Sequence, residues 1–406
     1  MPRLLPAGLR PLLSLVLLLV AGVAQAFALD DWSSVEAEAR GQTVYFNAWG
    51  GDPDVNAYLD WVAGTMAARH GVDVVHVKLA DTAEAVSRVL AEKAAGNTEA
   101  GAIDLIWLNG ENFAAMKTNG LLYGPFAPRL PHYALTDPAD HPAVREDFTL
   151  PTEGYESPWG KAQLTFYHDS ARVASPPRSI PALLDWARAH PGRFTYPLPP
   201  DFLGSSFLKQ ALLALVDDRT PLYHPVAEAD FDAVTAPLWD YLDRLHPYLW
   251  RRGRTFPASD ATLRRLMGDG ELSLAFTFTP SAPAVAVAAH RLPPTTRSYV
   301  LDGGTLGNVH FVAIPFNAAH KAGALVLANF LLSPQAQARK QSLDGWGDAT
   351  VLSPEALSPA QRAALADDTD NPARLPADAL ARTLAEPHPS WTPRLEAAWQ
   401  ARYGAR

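Results

Sequence analysis

Small polar side chains cluster at Asn109, Glu111 and Asn112, directly after the apolar run 105–108. At the carboxyl end of a parallel strand, such side chains point into the crevice where open α/β sheets bind ligands. Asn also caps helices well and Glu favours a first helical turn, so capping is the alternative interpretation. Because capping explains one of the three groups and not all of them, we predict that this cluster contacts a ligand.

A second candidate ligand-binding segment lies at the end of the apolar stretch 43–49. Gly50 and Gly51 permit close approach of the backbone to a ligand, and Trp49 offers a flat apolar face. Ordinary turn chemistry is the alternative. A ligand cation would suit these two segments, since Glu111 could pair with it and Trp49 could stack on it.

A third candidate is Gly204-Ser205-Ser206, which precedes a helical pattern at Phe207. The hydroxyl groups of Ser205 and Ser206, together with free backbone N–H groups, could hold an oxygen-rich or anionic group. Simple N-capping is the alternative here as well.

Known catalytic and metal-binding patterns do not occur in the sequence. It has no HExxH or GxSxG motif and no cysteine, and its histidines show no ligand spacing. We therefore expect no catalytic residue, no metal and no cofactor. The lack of a Tyr-Tyr pair disfavours iron as the ligand without excluding it. The exposed acid Glu111 argues against phosphate as the ligand. A neutral or cationic organic solute fits better.

Strands and helices alternate along the chain that carries these residues. Apolar runs at 43–49, 72–79 and 103–109 predict strands, with helices between them at 53–71 and 81–96. Residues 159–169, 194–200 and 272–278 are also strand-like, and the proline-rich stretch 125–151 reads as a surface excursion. This alternation predicts the α/β class, with mostly parallel sheets flanked by helices.

The N-terminus and the composition indicate export. Arg3 and Arg10 precede an apolar stretch at 12–20 and the small-residue site 24–26, a pattern typical of a secretory signal peptide cleaved after Ala26. Its removal lowers Lys+Arg from 34 to 32 against 43 Asp+Glu, a net charge of −11. Nucleic acid and anionic membranes are poor partners for that charge. The lack of cysteine excludes a lipoprotein anchor, so we expect a free protein with no membrane anchor. We expect this protein to be periplasmic and monomeric.

Three segments resemble the successive landmarks of the ABC-importer solute-binding proteins, extracellular family 1. They are IDLIWLNGENFAAMKTNGLL, WGKAQLTFYHDSARV and VHFVAIPFNAAHKAGALVLANFLLSPQAQARK, and the last is the most specific. NAWGG and NGENFAAMK look closest to an uncharacterised thiamine-transporter-like branch of that group. The resemblance covers residues 43 to about 340, with 125–156 and the tail after 341 less clear.

That resemblance implies a two-lobed periplasmic-binding-protein type II fold with the ligand cleft between the lobes. We expect lobe 1 at 27–160 and 307–340, lobe 2 at 161–306, and a C-terminal helical segment at 341–406 that packs on either lobe. Crossovers are expected near 162–167 and 307–315. Gln163, Thr305 and Asn308 lie on or beside them and complete the set of candidate ligand-binding residues.

The resemblance also implies a function: capture of a small organic ligand and its delivery to a membrane permease with a cytoplasmic ATPase. Two alternatives stay open because a fold does not fix a function. One is a secreted transferase or hydrolase on the same scaffold, and the other is a sensor domain that presents its ligand-bound form to a membrane receptor.

Overall fold

The computed structural model of the protein describes residues 29–366, 371–376 and 378–404, so the predicted signal peptide lies outside the described residues. The helices are α1 Trp32–Ala39, α2 Pro53–His70, α3 Thr82–Ala94, α4 Glu111–Thr118, α5 Ile180–Ala189, α6 Phe202–Leu215, α7 Phe231–Leu245, α8 Asp260–Gly268, α9 Ala282–Ala288, α10 Lys321–Leu331, α11 Pro334–Gln341, α12 Pro359–Leu365 and α13 Trp391–Tyr403. The strands are β1 Thr43–Trp49, β2 Asp73–Leu79, β3 Leu105–Leu108, β4 Glu146–Asp147, β5 Leu150–Pro151, β6 Glu156–Gln163, β7 Thr165–Asp169, β8 Leu274–Thr277, β9 Thr296–Tyr299, β10 Thr305–Ala313 and β11 Thr383–Leu384.

The larger sheet has the strand order β11-β10-β3-β1-β2, and β6 also pairs with β10. Strands β1, β2 and β3 run parallel, as their apolar sequences predict, because helices α2 and α3 connect them. Strand β10 is antiparallel to β3 and β6. We call this sheet with its helices the large lobe.

The smaller sheet has the order β8-β7-β9, and we call it with its helices the small lobe. The α/β class and the two-lobed architecture are confirmed, but the expectation of a mostly parallel sheet is wrong for this lobe, because β7 runs antiparallel to both neighbours. Strands β8 and β9 share a direction, since α9 connects them. Strand β7 enters between them from the large lobe, so it runs the opposite way.

The chain first passes between the lobes along two adjacent segments, and it crosses once more in the tail before α13. The strand-like stretch 159–169 is split at Leu164, with β6 in the large sheet and β7 in the small one. The chain returns between Tyr299 and Thr305. The N–H of Leu164 donates to the carbonyl of Leu306 at 2.7 Å, so the two crossing segments are hydrogen-bonded to each other. The domain boundaries given above stay a prediction.

Helix α2 shows how the sequence fixes one local structure. Its buried side chains are those that recur at helical spacing in the sequence, from Val55 to Met66. Asp52 caps its first turn by accepting a hydrogen bond from the N–H of Asp54, and Gly71 ends it with a φ of 64°. Both ends agree with the prediction.

Two stretches differ from the prediction. Residues 194–200 form no strand, because Pro197, Pro199 and Pro200 have no N–H to donate to a ladder. Residues 125–151 do not simply cover the surface. They form short 3-10 turns and the hairpin β4–β5, and Phe126 and Val144 are buried in the core of the large lobe.

The C-terminal tail contacts both lobes. Strand β11 pairs with the start of β10, next to the crossing segments. Helix α13 buries Trp391, Leu395, Trp399 and Tyr403 in the core of the small lobe. The last helix in the described ranges therefore completes the small lobe.

Candidate functional site

A cavity of about 420 Å³ is lined by residues of both lobes and of the tail. Its polar and charged lining residues are Asp81, Thr82, Asn109, Glu111, Asn112, Asp201, Ser205, Lys209, Asp260, Thr277, Thr279, Asn308, His310, Asp348, Thr392 and Glu396. Its aromatic lining residues are Trp49, Trp107, Phe202, Phe278 and Trp346. A space of this size that combines apolar faces with a few polar groups is typical of a small-molecule site.

Asn109, Glu111 and Asn112 all line this cavity. The N-cap of α4 is Gly110, and no side chain caps the helix, so the alternative in which Asn109 is the cap is wrong. Asp147 instead accepts a hydrogen bond from the N–H of Gly110 at 2.7 Å. No N-cap bond explains Asn109 or Asn112, whereas Glu111 is an acid in the first turn of α4, as the alternative interpretation expects. Contact of the three side chains with a ligand stays a prediction.

Trp49 lines the cavity at the end of β1, whereas Gly50 and Gly51 do not. A Cβ atom at Gly51 would lie 2.6 Å from Cζ2 of Trp49, and one at Gly50 would lie 2.6 Å from Cβ of Lys78. The two glycines thus make room for neighbouring side chains, and Gly51 allows the indole of Trp49 to lie against the backbone.

Ser205 and Ser206 lie in the first turn of α6 and have different environments. Ser205 lines the cavity and donates a hydrogen bond to Glu396 at 2.6 Å. Ser206 is fully buried and donates to the carbonyl of Phe202, so its side chain is turned away from the cavity. Asp201 is the N-cap and accepts from the N–H groups of residues 203 and 204. This carboxylate occupies the donors that an anionic ligand would need.

Of the three candidates beside the crossovers, only Asn308 lines the cavity. Gln163 donates to the hydroxyl of Thr305 at 3.0 Å and to the carbonyl of Arg382 at 3.3 Å. These bonds tie the crossing segments to β11, so Gln163 and Thr305 have a structural explanation. Asn308 donates to Glu386 at 3.1 Å.

Four lining carboxylates have few cationic partners. Glu111 and Asp81 come from the large lobe, Asp201 from the small lobe and Glu396 from α13. Burial raises the pKa of Glu111, although the ammonium group of Lys209 opposes that shift. Burial also raises the pKa of Asp201 to about 7, against the hydrogen bond from Gly204. The pKa of Glu396 is raised to about 7 by burial, against the hydrogen bond from Ser205.

Two other lining carboxylates already have partners. Asp348 accepts hydrogen bonds from His310 at 2.9 Å and from Lys340 at 2.6 Å. Burial favours its neutral form, but the combined effect of His310 and Lys340 holds the pKa of Asp348 below its usual value. Asp260 lies 3.7 Å from Arg264, yet burial still raises the pKa of Asp260.

Two of the aromatic lining residues, Trp107 and Trp346, belong to a cluster of packed rings in the large lobe. Trp107 packs edge-on against Trp346, with ring centroids 5.3 Å apart, and against the buried Trp159 at 5.0 Å. His310 lies 5.6 Å from Trp346. Indole faces next to carboxylates give the environment that binds organic cations.

Lys209 is the single Lys or Arg side chain lining the cavity within the described ranges. Its Nζ lies 2.7 Å from Glu386 Oε2, and both side chains are almost fully buried. Lys209 stands alone as a charge among the mostly apolar residues of α6, a signal that sequence reasoning could have used. Glu386 and Glu396 come from the tail, where neither period nor motif marked them.

Two ion pairs join the lobes beside the cavity. Asp52, at the start of α2, pairs with Arg264 of α8. Asp54 pairs with Arg291 at 2.6 Å. Since α2 belongs to the large lobe and both arginines to the small lobe, these contacts hold the lobes together in this conformation.

Comparisons with known proteins agree with this architecture. Residues 61–371 match the family model described as "Bacterial extracellular solute-binding protein". The chain is 48% identical to Protein YnjB of Escherichia coli (strain K12) over 375 residues, which cover 92% of this chain and 94% of that protein.

Solved structures share the fold at low sequence identity. A putative spermidine/putrescine ABC transporter protein from Listeria monocytogenes has a TM-score of 0.64 at 15% identity, covering 89% of this chain and 99% of that chain. The periplasmic binding protein AfuA from Actinobacillus pleuropneumoniae, solved with fructose-6-phosphate, has a TM-score of 0.62 at 14% identity, covering 90% and 99%.

The described helices were also compared with the requirements of a membrane span. Among residues 29–366, 371–376 and 378–404, no helix combines the length and apolar character needed to cross a bilayer. The family match over most of the chain, together with the 48% identity to YnjB, shows that this protein belongs to the bacterial extracellular solute-binding proteins.

Proposed function

We propose that this protein is the periplasmic ligand-capturing component of an ABC importer and that its ligand is an organic cation. One observation carries the choice of ligand class. Four carboxylates, from Asp81, Glu111, Asp201 and Glu396, line one cavity, where Lys209, the one lysine that lines it in the described part of the chain, is already paired with Glu386. A ligand cation would supply the missing positive charge.

An anionic ligand fits this cavity poorly. The N-termini of α3 and α6 reach the cavity and would ordinarily attract anions. Asp81 and Asp201 cap these helices and accept hydrogen bonds from their first N–H groups. At these two helices a phosphate or carboxylate would meet acids instead of free donors, and at the uncapped N-terminus of α4 it would meet the carboxyl group of Glu111.

An organic cation also fits better than a metal ion. Within the residues that the structure describes, no three His, Asp or Glu side chains are placed to hold a metal ion. The walls supply flat indole faces instead, from Trp49, Trp107 and Trp346. Aromatic faces stabilise ammonium and heteroaromatic cations by about 0.5–2 kcal/mol. The thiamine-transporter-like resemblance stays a prediction that agrees with this class.

The first test identifies the ligand. Protein exported by its native host is purified gently, and the ligand released by mild denaturation is measured by mass spectrometry. We expect a cationic organic molecule, whereas a sugar phosphate or an organic acid would contradict the proposal. Uptake of that molecule by cells with and without the neighbouring permease genes then tests import.

The second test uses Glu111→Gln, which removes charge and nearly conserves shape. A charge-assisted contact of this kind contributes about 1.5–3 kcal/mol, so calorimetry with the released ligand should show affinity about tenfold lower or worse. Thermal stability of the ligand-free protein should change little, because a first-turn acid contributes only about 0.3–1 kcal/mol. Glu38→Gln, on the exposed face of α1, is the matched control and should bind like the parent. Parent-like affinity in Glu111→Gln would leave Glu111 without a role in binding.

Asn109→Ala separates recognition from capping. Loss of a side-chain cap costs about 1 kcal/mol of stability, but Asn109 makes no such bond in α4. We therefore expect the free energy of unfolding of the ligand-free variant to lie within about 0.5 kcal/mol of the parent value, as for an ordinary surface substitution. The affinity of the variant for the ligand should be lower. A stability loss with unchanged affinity would remove Asn109 from the site.

A further inference from the structure

We propose that Lys209 is a specificity-determining residue that fills a second cation position in the cavity, so that the protein selects monocations and rejects dications. This inference rests on the proposed function, because it concerns the charge of the same ligand.

The ammonium group of Lys209 lies in surroundings that suit a ligand cation. Its Nζ is 2.7 Å from a carboxylate oxygen of Glu386 and 4.5 Å from the ring centroid of Phe148. The ring of Phe202 lies 5.7 Å away. One carboxylate and two aromatic faces are the groups by which proteins recognise ammonium ions. Here the chain supplies the ammonium group itself.

The groups around Lys209 are firmly held. Glu386 accepts a hydrogen bond from Asn308, which lies on β10 in the large sheet. Phe148 is the first residue of the two-residue turn between β4 and β5, and both turn residues have positive φ values, 44° and 72°. A bulky aromatic residue is uncommon in that conformation. The turn nevertheless places its ring against Lys209.

The open carboxylates lie close to this internal cation. Glu111, Glu396 and Lys209 line the same cavity, and the Lys209 ammonium group opposes the rise that burial causes in the pKa of both acids. A ligand cation bound by these acids therefore lies near the Lys209 ammonium group. If the ligand carried a second positive group, that group would find its place taken and would be repelled by Lys209. Repulsion of the wrong ligand is a common source of specificity.

The test compares, by calorimetry, two amines that share one aminomethylbenzene frame and differ by a second aminomethyl group. Benzylamine carries one positive charge, and 1,4-bis(aminomethyl)benzene carries two. The parent should bind benzylamine at least about tenfold more tightly than the diamine. In Lys209→Met the order should reverse, because the second ammonium group of the diamine can then pair with Glu386. Lys209→Arg should keep the preference of the parent. Lys117→Met is a matched control on α4, where Lys117 pairs with Glu153 outside the cavity, and it should also keep that preference.

A double variant guards against misfolding. Lys209→Met alone leaves Glu386 buried without a cation, whereas Lys209→Met combined with Glu386→Gln removes both charges. The double variant should bind the two amines within about threefold of each other, because repulsion and attraction are both gone. A tenfold preference for benzylamine that survives in the double variant would overturn the role of Lys209.

The remaining outcomes separate this inference from the proposed function. If the parent binds the diamine as tightly as benzylamine, or if neither amine binds to the parent and the variants, the selection of monocations is wrong. A dication released from the native protein would also overturn it, while leaving the proposed function intact. An anionic ligand released from the native protein would overturn both.

Discussion

Single residues set the protonation of the cavity. Asp201 and Glu396 have pKa values raised to about 7 by burial, whereas Asp348 is held ionised by His310 and Lys340. An empty cavity therefore carries protons on some acids near neutral pH. A bound cation favours the ionised form of those acids and expels the protons.

Ligand affinity should depend on pH as a consequence. Below pH 7 the cation must displace protons from Asp201 and Glu396, and above pH 7 it need not. We expect affinity for the released ligand to rise between pH 5.5 and 8 and then to level. Calorimetry in buffers of different ionisation enthalpy should detect proton release at pH 6.5. Affinity that falls with rising pH in this window would contradict the cationic ligand.

The stability of the ligand-free protein should depend on pH with the opposite sign. Unfolded Asp and Glu titrate near pH 4, and the folded pKa values are about 7, so between these limits the folded state binds more protons. Stability then falls as pH rises through this window. Five histidines with pKa values lowered mainly by burial act in the opposite direction, so the effect of the two acids must be measured against a variant that lacks them. The melting temperature of the parent minus that of Asp201→Asn combined with Glu396→Gln should be smaller at pH 7.5 than at pH 5.5.

At the scale of secondary-structure elements, the turn before α4 sets the orientation of Asn109, Glu111 and Asn112. Gly110 has a φ of 61° and a ψ of −127°, which only glycine adopts readily. A Cβ atom there would also lie 2.7 Å from the ring of Phe148. The same glycine thus sets the direction of Glu111 and leaves room for the ring beside Lys209.

Gly110→Ala should therefore weaken both stability and binding. Strain of this kind costs about 1–3 kcal/mol, measured by denaturant unfolding. Gly64→Ala is the control, since Gly64 lies inside α2 with open space where the Cβ would be. That change should stabilise the protein by about 0.5–1 kcal/mol. Equal effects of the two substitutions would contradict a special role for Gly110.

Elements with a strong local signal were predicted well, and elements defined by distant partners were not. Helices α2 and α3 and strands β1 to β3 follow from apolar period, caps and turn residues. The antiparallel pairing of β7 did not follow, because its partner β8 lies more than a hundred residues later. Among the predicted binding residues, Trp49 lines the cavity at the end of β1, Glu111 at the start of α4 and Asn308 from within β10. Glu396 was missed, because its place depends on how α13 packs and not on its neighbours in sequence.

At the scale of the whole molecule, the ion pairs of α2 link the lobes. The Asp52–Arg264 pair is buried beside Asp260, which lines the cavity. The Asp54–Arg291 pair is partly exposed, so its contribution is about 0.2–1 kcal/mol. A small energy of this kind can still shift the balance between open and closed lobes.

Arg291→Gln should favour the open form. We expect a larger radius of gyration without ligand in solution scattering, a return to the parent value with saturating ligand, and affinity lower by up to about fivefold. Arg265→Gln is the control, because Arg265 lies on α8 and pairs with Asp269 of the same lobe. An unchanged radius of gyration in Arg291→Gln, with and without ligand, would leave this pair without a part in lobe closure.

The docking of α13 has a consequence for the order in which the protein matures. The lining residues run from Trp49 to Glu396, and α13 supplies the last of these while burying Trp399 and Tyr403 in the small lobe. A nascent chain whose α13 has not yet left the ribosome lacks both the lining residues that α13 supplies and part of the core behind them. We therefore expect ligand to add little to the stability of a chain that still lacks α13. Binding competence should be acquired late, once α13 has been synthesised and has packed in the small lobe.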